Sequence, residues 1–169
     1  MNYLLDANTF IEAKNRYYSM SICPGYWQWI LQSNIYSGVA SIRFIKDELT
    51  NGNDDLAQWA KDNSHLFLAN DDEPTQIAYT QVVQHVMEQE GMKNGAQEEF
   101  LRGADPWLIA KAMTSGATIV THEKLDRNIR RKILIPNVCE HFGVQYIDTF
   151  ELLHQLEAQF IMLPAIPAA

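Results

Sequence analysis

Short apolar runs alternate along the chain with stretches of helical periodicity, and this alternation predicts the order of the elements. Apolar runs at residues 3–5, 117–121 and 144–147 are expected to be buried strands, and the β-branched run at 117–121 directly follows a helix stop. Residues 38–42 are compatible with a short strand or with a turn into the next helix. Residues 65–68 are a weaker candidate for an edge strand.

Helices are predicted where apolar residues recur with a period of about 3.6 between start and stop signals. Asn8 or Thr9 is the expected N-cap of the first helix, and Pro24 with Gly25 opens the second. The remaining helices are expected at residues 43–49, 56–61, 72–87, 97–101, 107–115, 138–142 and from residue 148 onward. Residues 122–132 are polar and are predicted to be a loop or a helix.

Strands that alternate with helices indicate an α/β fold, in which helices flank a central, mostly parallel sheet of four or five strands in three layers. The 169 residues suit a single domain, with a core over about residues 3–147 and a C-terminal helix and apolar tail over residues 148–169. In such folds the working groups gather beyond the carboxyl ends of the strands. Residues that directly follow strands are therefore the first candidates for function.

Composition narrows the expected environment and the class of partner. The N-terminal apolar run is too short for a signal peptide, no stretch is long enough to cross a bilayer, and Cys23 and Cys139 lack metal-type spacing. These features predict a cytoplasmic protein with reduced thiols and no membrane association. The formal net charge of −8 argues against a broadly basic nucleic-acid-binding surface, unless some of the acids gather to hold cations.

Four acidic residues from distant parts of the chain fall near the predicted strand ends. Asp6 directly follows the first strand, Glu123 follows the run at 117–121, Glu48 lies in the helix after residues 38–42, and Asp105 stands before Pro106 at a helix start. Taken singly, Asp105 is best explained as an N-cap, Glu48 as a solvated helix residue and Glu123 as a helix-start acid. Asp6 resists such an explanation, because a charge at the end of a buried strand is costly unless it is paired or bound to a metal.

The segments around these acids resemble those of the PIN-domain nucleases, in particular the VapC-like toxin branch and an uncharacterised PIN-like subfamily within it. Residues 4–11, 46–49, 104–110 and 119–123 match in order and spacing, and the resemblance spans roughly residues 3–147. It implies a three-layer PIN-like fold and an endoribonuclease that uses Mg²⁺ or Mn²⁺ to hydrolyse RNA phosphodiester bonds. Such ions prefer the oxygen ligands that carboxylates supply.

The resemblance also carries over to individual residues. Asp6, Glu48 and Asp105 match the first three acids of the family's catalytic metal site, and Asn8 and Thr121 match the polar positions that usually support those ligands.

The fourth acid departs from the family pattern. Glu123 stands where the family more often has Asp, so ligation through a water molecule is expected, and Asp126 is the alternative ligand. The densest basic segment of the chain follows, and we predict that it steers the RNA backbone, although an ordinary solvated loop face explains it equally well. Its residues are Lys124, Arg127, Arg130, Arg131 and Lys132.

The resemblance further implies the toxin of a type II toxin–antitoxin pair, with an antitoxin protein as partner and a homodimer as the assembly. Two other classes remain open. A catalytically inert PIN-like binding module is compatible with the Glu at position 123. Residues 6–9 are also loosely similar to the Asp-x-Asp-x-Thr motif of aspartyl-phosphate phosphatases, although Asn8 replaces the second acid.

Overall fold

A five-stranded parallel sheet forms the centre of the protein in a computed structural model that describes residues 1–161. The strands are β1 (Tyr3–Leu5), β2 (Val39–Ile42), β3 (Phe67–Leu68), β4 (Thr118–Val120) and β5 (Tyr146–Ile147). Their order in the sheet is β3-β2-β1-β4-β5, and every neighbouring pair is parallel. The predicted α/β fold with a parallel sheet is therefore confirmed.

Helices connect each strand to the next and form the outer layers. With this strand order, the rule that parallel crossovers are right-handed assigns the helices between β1, β2 and β3 to one face of the sheet and those leading to β4 and β5 to the other. The helices are α1 (Ala7–Glu12), α2 (Pro24–Ser37), α3 (Arg43–Thr50), α4 (Asp55–Asp62), α5 (Glu73–Met87), α6 (Ala96–Arg102), α7 (Asp105–Ser115), α8 (Ile135–Phe142) and α9 (Thr149–Gln155). A π-helical turn (Ala13–Tyr17) continues α1, and a 3₁₀ turn (Ser64–Leu66) precedes β3.

The core lies on both sides of the central strands. Leu4, Ile119 and Val120 are fully buried, as expected for strands covered by helices on two faces. At the end of the sheet where the parallel strands begin, Gly38 ends α2 with a φ of 67°. A Cβ at this position would lie 3.0 Å from the backbone nitrogen of Asn2. This close approach lets the carbonyl of Gly38 accept hydrogen bonds from the start of β1.

Several element boundaries differ from the predicted ones. The N-cap prediction for Asn8 or Thr9 is wrong, because β1 passes directly into α1 and the N-cap position is Asp6. Helix α8 begins at Ile135 rather than residue 138, since Pro136 fits the first turn of a helix. Residues 122–132 contain no helix.

The first strand has the predicted bounds, whereas the other four strands are shorter than predicted, and residues 65–66 belong to the 3₁₀ turn. The C-terminal helix is present as α9, whereas residues 162–169 of the expected apolar tail lie outside the described residues. Within residues 1–161, none of the helices combines the length and the apolar character needed to span a membrane.

Candidate functional site

Asp6 lies at the carboxyl end of the central strand and is only 1% exposed. Its Oδ2 accepts hydrogen bonds from the Thr121 hydroxyl at 2.9 Å and from the Asn8 side-chain amide at 3.4 Å. Burial raises the pKa of Asp6 to about 6 and the charge of Glu123 adds to the increase, while the hydrogen bond from Thr121 opposes it. The fold thus holds a poorly hydrated carboxyl group in a fixed orientation, and Asn8 and Thr121 are both in contact with it.

Asp105 is the first residue of α7, and the N-cap position belongs to Ala104. Burial raises the pKa of Asp105 well above its ordinary value, followed by the negative charges of Asp6, Glu123 and Glu48, and the Lys132 ammonium opposes this rise. Charge interactions weaken with distance, so these three acids lie near Asp105. The structure therefore brings the four acids of the predicted site into one electrostatic environment.

Glu48 connects two helices at the rim of this environment. Its Oε1 accepts a hydrogen bond from the backbone N–H of Ala104 at 2.8 Å, so α3 is tied to the start of α7. Burial raises the pKa of Glu48, and the hydrogen bond from Ala104 lowers it. This bond holds the Glu48 side chain next to the first residue of α7.

Glu123 has hydrogen-bond partners on both carboxylate oxygens. Oε2 accepts the backbone N–H of Ile135, the first residue of α8, at 2.8 Å, and Oε1 accepts the ammonium of Lys132 at 3.0 Å. The backbone N–H of Glu123 donates to the Thr121 hydroxyl, which itself donates to Asp6. Thr121 therefore links the first acid to the fourth.

Asp126 lies apart from these contacts on an exposed turn. Its Oδ1 accepts the backbone N–H of Asn128 at 2.9 Å, and its backbone is hydrogen-bonded to the side chain of Asn137. The acids that raise the pKa of Asp105 are Asp6, Glu123 and Glu48. Glu123, unlike Asp126, is therefore part of the charge environment of Asp105.

The five basic residues of the loop occupy different environments. The ammonium of Lys132 lies among the acids, whereas the Arg127 guanidinium is 2.7 Å from Glu140. The Arg130 guanidinium donates to backbone carbonyls of its own loop. Lys124 and Arg131 are exposed. The structure thus brings one predicted RNA-binding cation into the acidic site and leaves the other four on the surface of the loop.

Two cavities adjoin the acids. One of about 240 Å³ is lined by Asp105, Glu123 and Lys132. The other, of about 530 Å³, is lined by Thr121, His122 and Glu123 with residues of β5 and α9. Nε2 of His122 lies 3.0 Å from the Thr149 hydroxyl, so this imidazole is attached to α9.

The acids do not form a closed protein cage for a metal ion among the described residues. Within residues 1–161, no three His, Cys, Asp or Glu side chains lie close enough to enclose a metal ion. Mg²⁺ typically takes only one or two protein carboxylates and keeps several waters, which leaves room for substrate phosphate. Asp6 and Asp105 have raised pKa values because of burial and of neighbouring acids, and a cation would relieve both effects.

Sequence reasoning missed two features next to these acids. One is the ion pair between Lys132 and Glu123, which depends on a contact between residues nine positions apart across a loop. The other is a stack of aromatic rings that includes Phe44, one helical turn before Glu48 on α3. The four-residue spacing on a predicted helix is a signal that could have pointed to Phe44.

A three-layer fold and a carboxylate-rich edge define an α/β protein with a candidate cation site. The chain belongs to the family described as "Domain of unknown function (DUF4411)", which matches residues 3–160. No curated protein matches it.

Among solved structures, the chain is similar to one in the crystal structure of VapBC2 from Rickettsia felis bound to a DNA fragment from their promoter. The two are 14% identical with a TM-score of 0.49, and the match covers 88% of this chain and 98% of the other. A likeness this distant does not establish a shared activity.

Proposed function

We propose that this protein is an endoribonuclease that uses Mg²⁺ or Mn²⁺ to hydrolyse RNA phosphodiester bonds. The observation that supports this proposal most directly is the raised pKa of Asp105, which arises from burial and from the carboxylates of Asp6, Glu123 and Glu48. These acids come from four separate parts of the chain, and Asp6 and Glu123 follow the neighbouring parallel strands β1 and β4. Their order along the sequence also resembles that of the PIN-domain nucleases.

Each acid has a distinct part in the proposed chemistry. Asp6 is oriented by Thr121 and Asn8, and Asp105 is held by the first turn of α7, so these two would supply the most rigid oxygen ligands. When bound, the ion would lower the pKa of a water molecule and stabilise negative charge on the phosphate. Glu48 would complete the ligand set through the oxygen that is not needed for its bond to Ala104.

Lys132 would contact the phosphate that is cut. Its ammonium is already 3.0 Å from Glu123 at the border of the cavity, and an entering phosphate would compete with this carboxylate for it. The other four basic residues of the loop are exposed and would attract the RNA backbone from a distance. This arrangement supports nucleic-acid binding by a protein whose net charge is −8.

The narrower proposal is a type II toxin that acts in the cytoplasm, forms a homodimer and is silenced by an antitoxin protein. The sequence resemblance to the VapC-like branch supports it. The test is to co-express the protein with the product of any small neighbouring gene, purify the pair and measure RNA cleavage. A stable complex without cleavage activity would support the proposal, and two proteins that purify separately would contradict it.

One observation favours a second candidate, a catalytically inert binding module. Both carboxylate oxygens of Glu123 are engaged by protein groups, so this acid must give up a partner before it can reach an ion. Calorimetric titration with Mn²⁺ near neutral pH separates the two candidates. An absence of binding would favour the inert module.

The test of the proposed function is RNA cleavage by the purified protein with Mg²⁺ or Mn²⁺. We expect Asp6→Asn and Asp105→Asn to stay folded and to lose activity, and the matched control Asp47→Asn, an exposed acid beside Glu48, to keep it. Circular dichroism of each variant checks the fold. Full activity in Asp6→Asn or Asp105→Asn would remove the site assignment.

A further inference from the structure

Three aromatic side chains from three helices form a continuous stack, which we call the aromatic ladder. Trp107 of α7 lies in the middle, with Tyr79 of α5 on one side at a centroid distance of 3.8 Å and an interplanar angle of 10°. Phe44 of α3 stacks on Trp107 at 5.2 Å and 26°. The ladder therefore ends in the ring of Phe44.

Helical spacing places the aromatic ladder beside the acidic site. Phe44 precedes Glu48 by four residues on α3, so their Cβ atoms are about 5–6 Å apart on the same face. Trp107 follows Ala104 by one turn of α7, and the N–H of Ala104 donates to Glu48. Both connections lead to the same carboxylate, at the rim of the proposed metal site.

Exposure distinguishes this stack from the aromatic packing of the core. Phe10 and Trp27, which contact other aromatic rings, are buried, as core residues should be. The side chain of Phe44 is 42% exposed. Core packing does not explain why the last ring of an ordered stack faces solvent next to a group of carboxylates.

One exposed cation is the immediate chain neighbour of Phe44. Arg43 precedes Phe44 in the chain, is itself exposed, and contacts Asp71 only at 3.7 Å. Exposed ion pairs of this length are weak, so Arg43 is available to a phosphate. An aromatic face with a nearby guanidinium is the combination that binds single-stranded nucleic acids.

We propose that the aromatic ladder is a stacking platform for an unpaired base of the RNA substrate, and that Phe44 is the ring that contacts this base. The proposal rests on the proposed function, which supplies RNA as the ligand. Stacking requires a base outside a duplex, so the protein selects single-stranded RNA over double-stranded RNA. The platform then holds the strand beside Glu48, at the entrance to the acids.

The test is the affinity of the full chain for a labelled single-stranded RNA oligonucleotide, measured by fluorescence anisotropy with a chelator present so that no RNA is cut. We expect Phe44→Leu to weaken binding about ten-fold, the size typical for loss of one base stack. Phe44→Trp keeps an aromatic face and is expected to bind as well as the original protein. Tyr36→Leu, a change at a ring that is 85% exposed near the amino edge of the sheet, is the matched control and should change nothing.

Specific outcomes would overturn the proposal. Unchanged RNA affinity in Phe44→Leu would do so, and would leave the exposed ring for contact with a protein partner. An equal loss of affinity for single-stranded and double-stranded RNA would also contradict stacking, as would a protein that binds no RNA in the chelator. Weaker binding in Phe44→Leu, together with no cleavage by the original protein in Mn²⁺, would support the platform and reject the nuclease.

Discussion

The starts of α5 and α7 have similar sequence signals and opposite electrostatics. Each has an aspartate shortly before a proline: Asp72 is the N-cap of α5, two residues before Pro74, and Asp105 opens α7 directly before Pro106. Asp72 accepts hydrogen bonds from the N–H and hydroxyl of Thr75 and from the ammonium of Lys111 at 2.6 Å. These partners lower the pKa of Asp72 to about 2, whereas burial and neighbouring acids raise that of Asp105.

This difference shows what a helix-start aspartate can do in each setting. Asp72 caps its helix and pairs with a cation, so its charge stabilises the fold. Asp105 is half-buried near three other acids, and its charge costs stability. A buried group that destabilises the fold in its charged form is a candidate for a functional role.

The largest expected effect is on the rate of RNA cleavage, which should distinguish Asp105 from Asp72. Asp105→Asn should lower the rate of RNA cleavage more than about 100-fold, because loss of a direct ligand exceeds the 10–100-fold effect of outer partners. Asp72→Asn should leave the rate nearly unchanged at temperatures where it is folded. Single-turnover cleavage with Mn²⁺ measures both, and similar losses in the two variants would mean that Asp105 acts only through the fold.

The next effect concerns pH and stability without metal. The folded protein binds a proton at Asp6 more tightly than the unfolded chain, because burial raises the pKa from 3.8 to about 6. Asp6 therefore stabilises the fold below pH 3.8, and this contribution is lost as the pH rises through 6. The loss amounts to about 3 kcal/mol.

The measurement is urea unfolding in a chelator at about pH 4.5 and pH 7.5, for the original protein and for Asp6→Asn. The difference in unfolding free energy between the two proteins isolates the contribution of Asp6. We expect the original protein to lose more stability than the variant as the pH rises. Parallel pH profiles would show that Asp6 is not desolvated.

A smaller effect is expected at the start of α5. Asp72→Ala removes the N-cap and leaves Lys111 without its partner, which should cost about 1–2 kcal/mol. Asp71→Ala changes the exposed neighbour and serves as the control. Equal unfolding free energies for Asp72→Ala and the original protein would contradict the contrast between α5 and α7.

The smallest expected effect concerns Lys132, the ion-pair partner of Glu123. Lys132→Gln should raise the affinity for Mn²⁺ about two- to five-fold, because it frees an oxygen of Glu123 from a partly exposed ion pair. The same variant should bind RNA more weakly. Calorimetry and anisotropy provide the two affinities, and weaker Mn²⁺ binding would show that Lys132 supports the ion rather than competing with it.

Local patterns in the sequence were sufficient to predict the order of strands and helices and the acids that follow the strands. The apolar run before Asp6 and the β-branched run before Glu123 are both central strands, and parallel neighbours bring their carboxyl ends to one edge. The N-cap of α1 was missed because Asn8 and Thr9 are themselves good capping residues, while the chain enters the helix directly from β1.

Contacts between distant segments were beyond reach of the sequence. The hydrogen bond from Ala104 to Glu48 joins residues 56 positions apart, and the two partners of Glu123 come from a loop and a helix start that no periodicity specifies. The aromatic ladder depends on the packing of three helices. Such arrangements arise from tertiary packing, which local sequence patterns do not specify.

The most direct test of the central claim is calorimetric titration with Mn²⁺ near neutral pH, using the original protein, Asp105→Asn and Asp72→Asn. We predict binding by the original protein and by Asp72→Asn, with protons released from acids whose pKa values are raised, and loss of binding in Asp105→Asn. An original protein that binds no Mn²⁺, or an Asp105→Asn variant that binds it equally well, would contradict a cation site built on these acids.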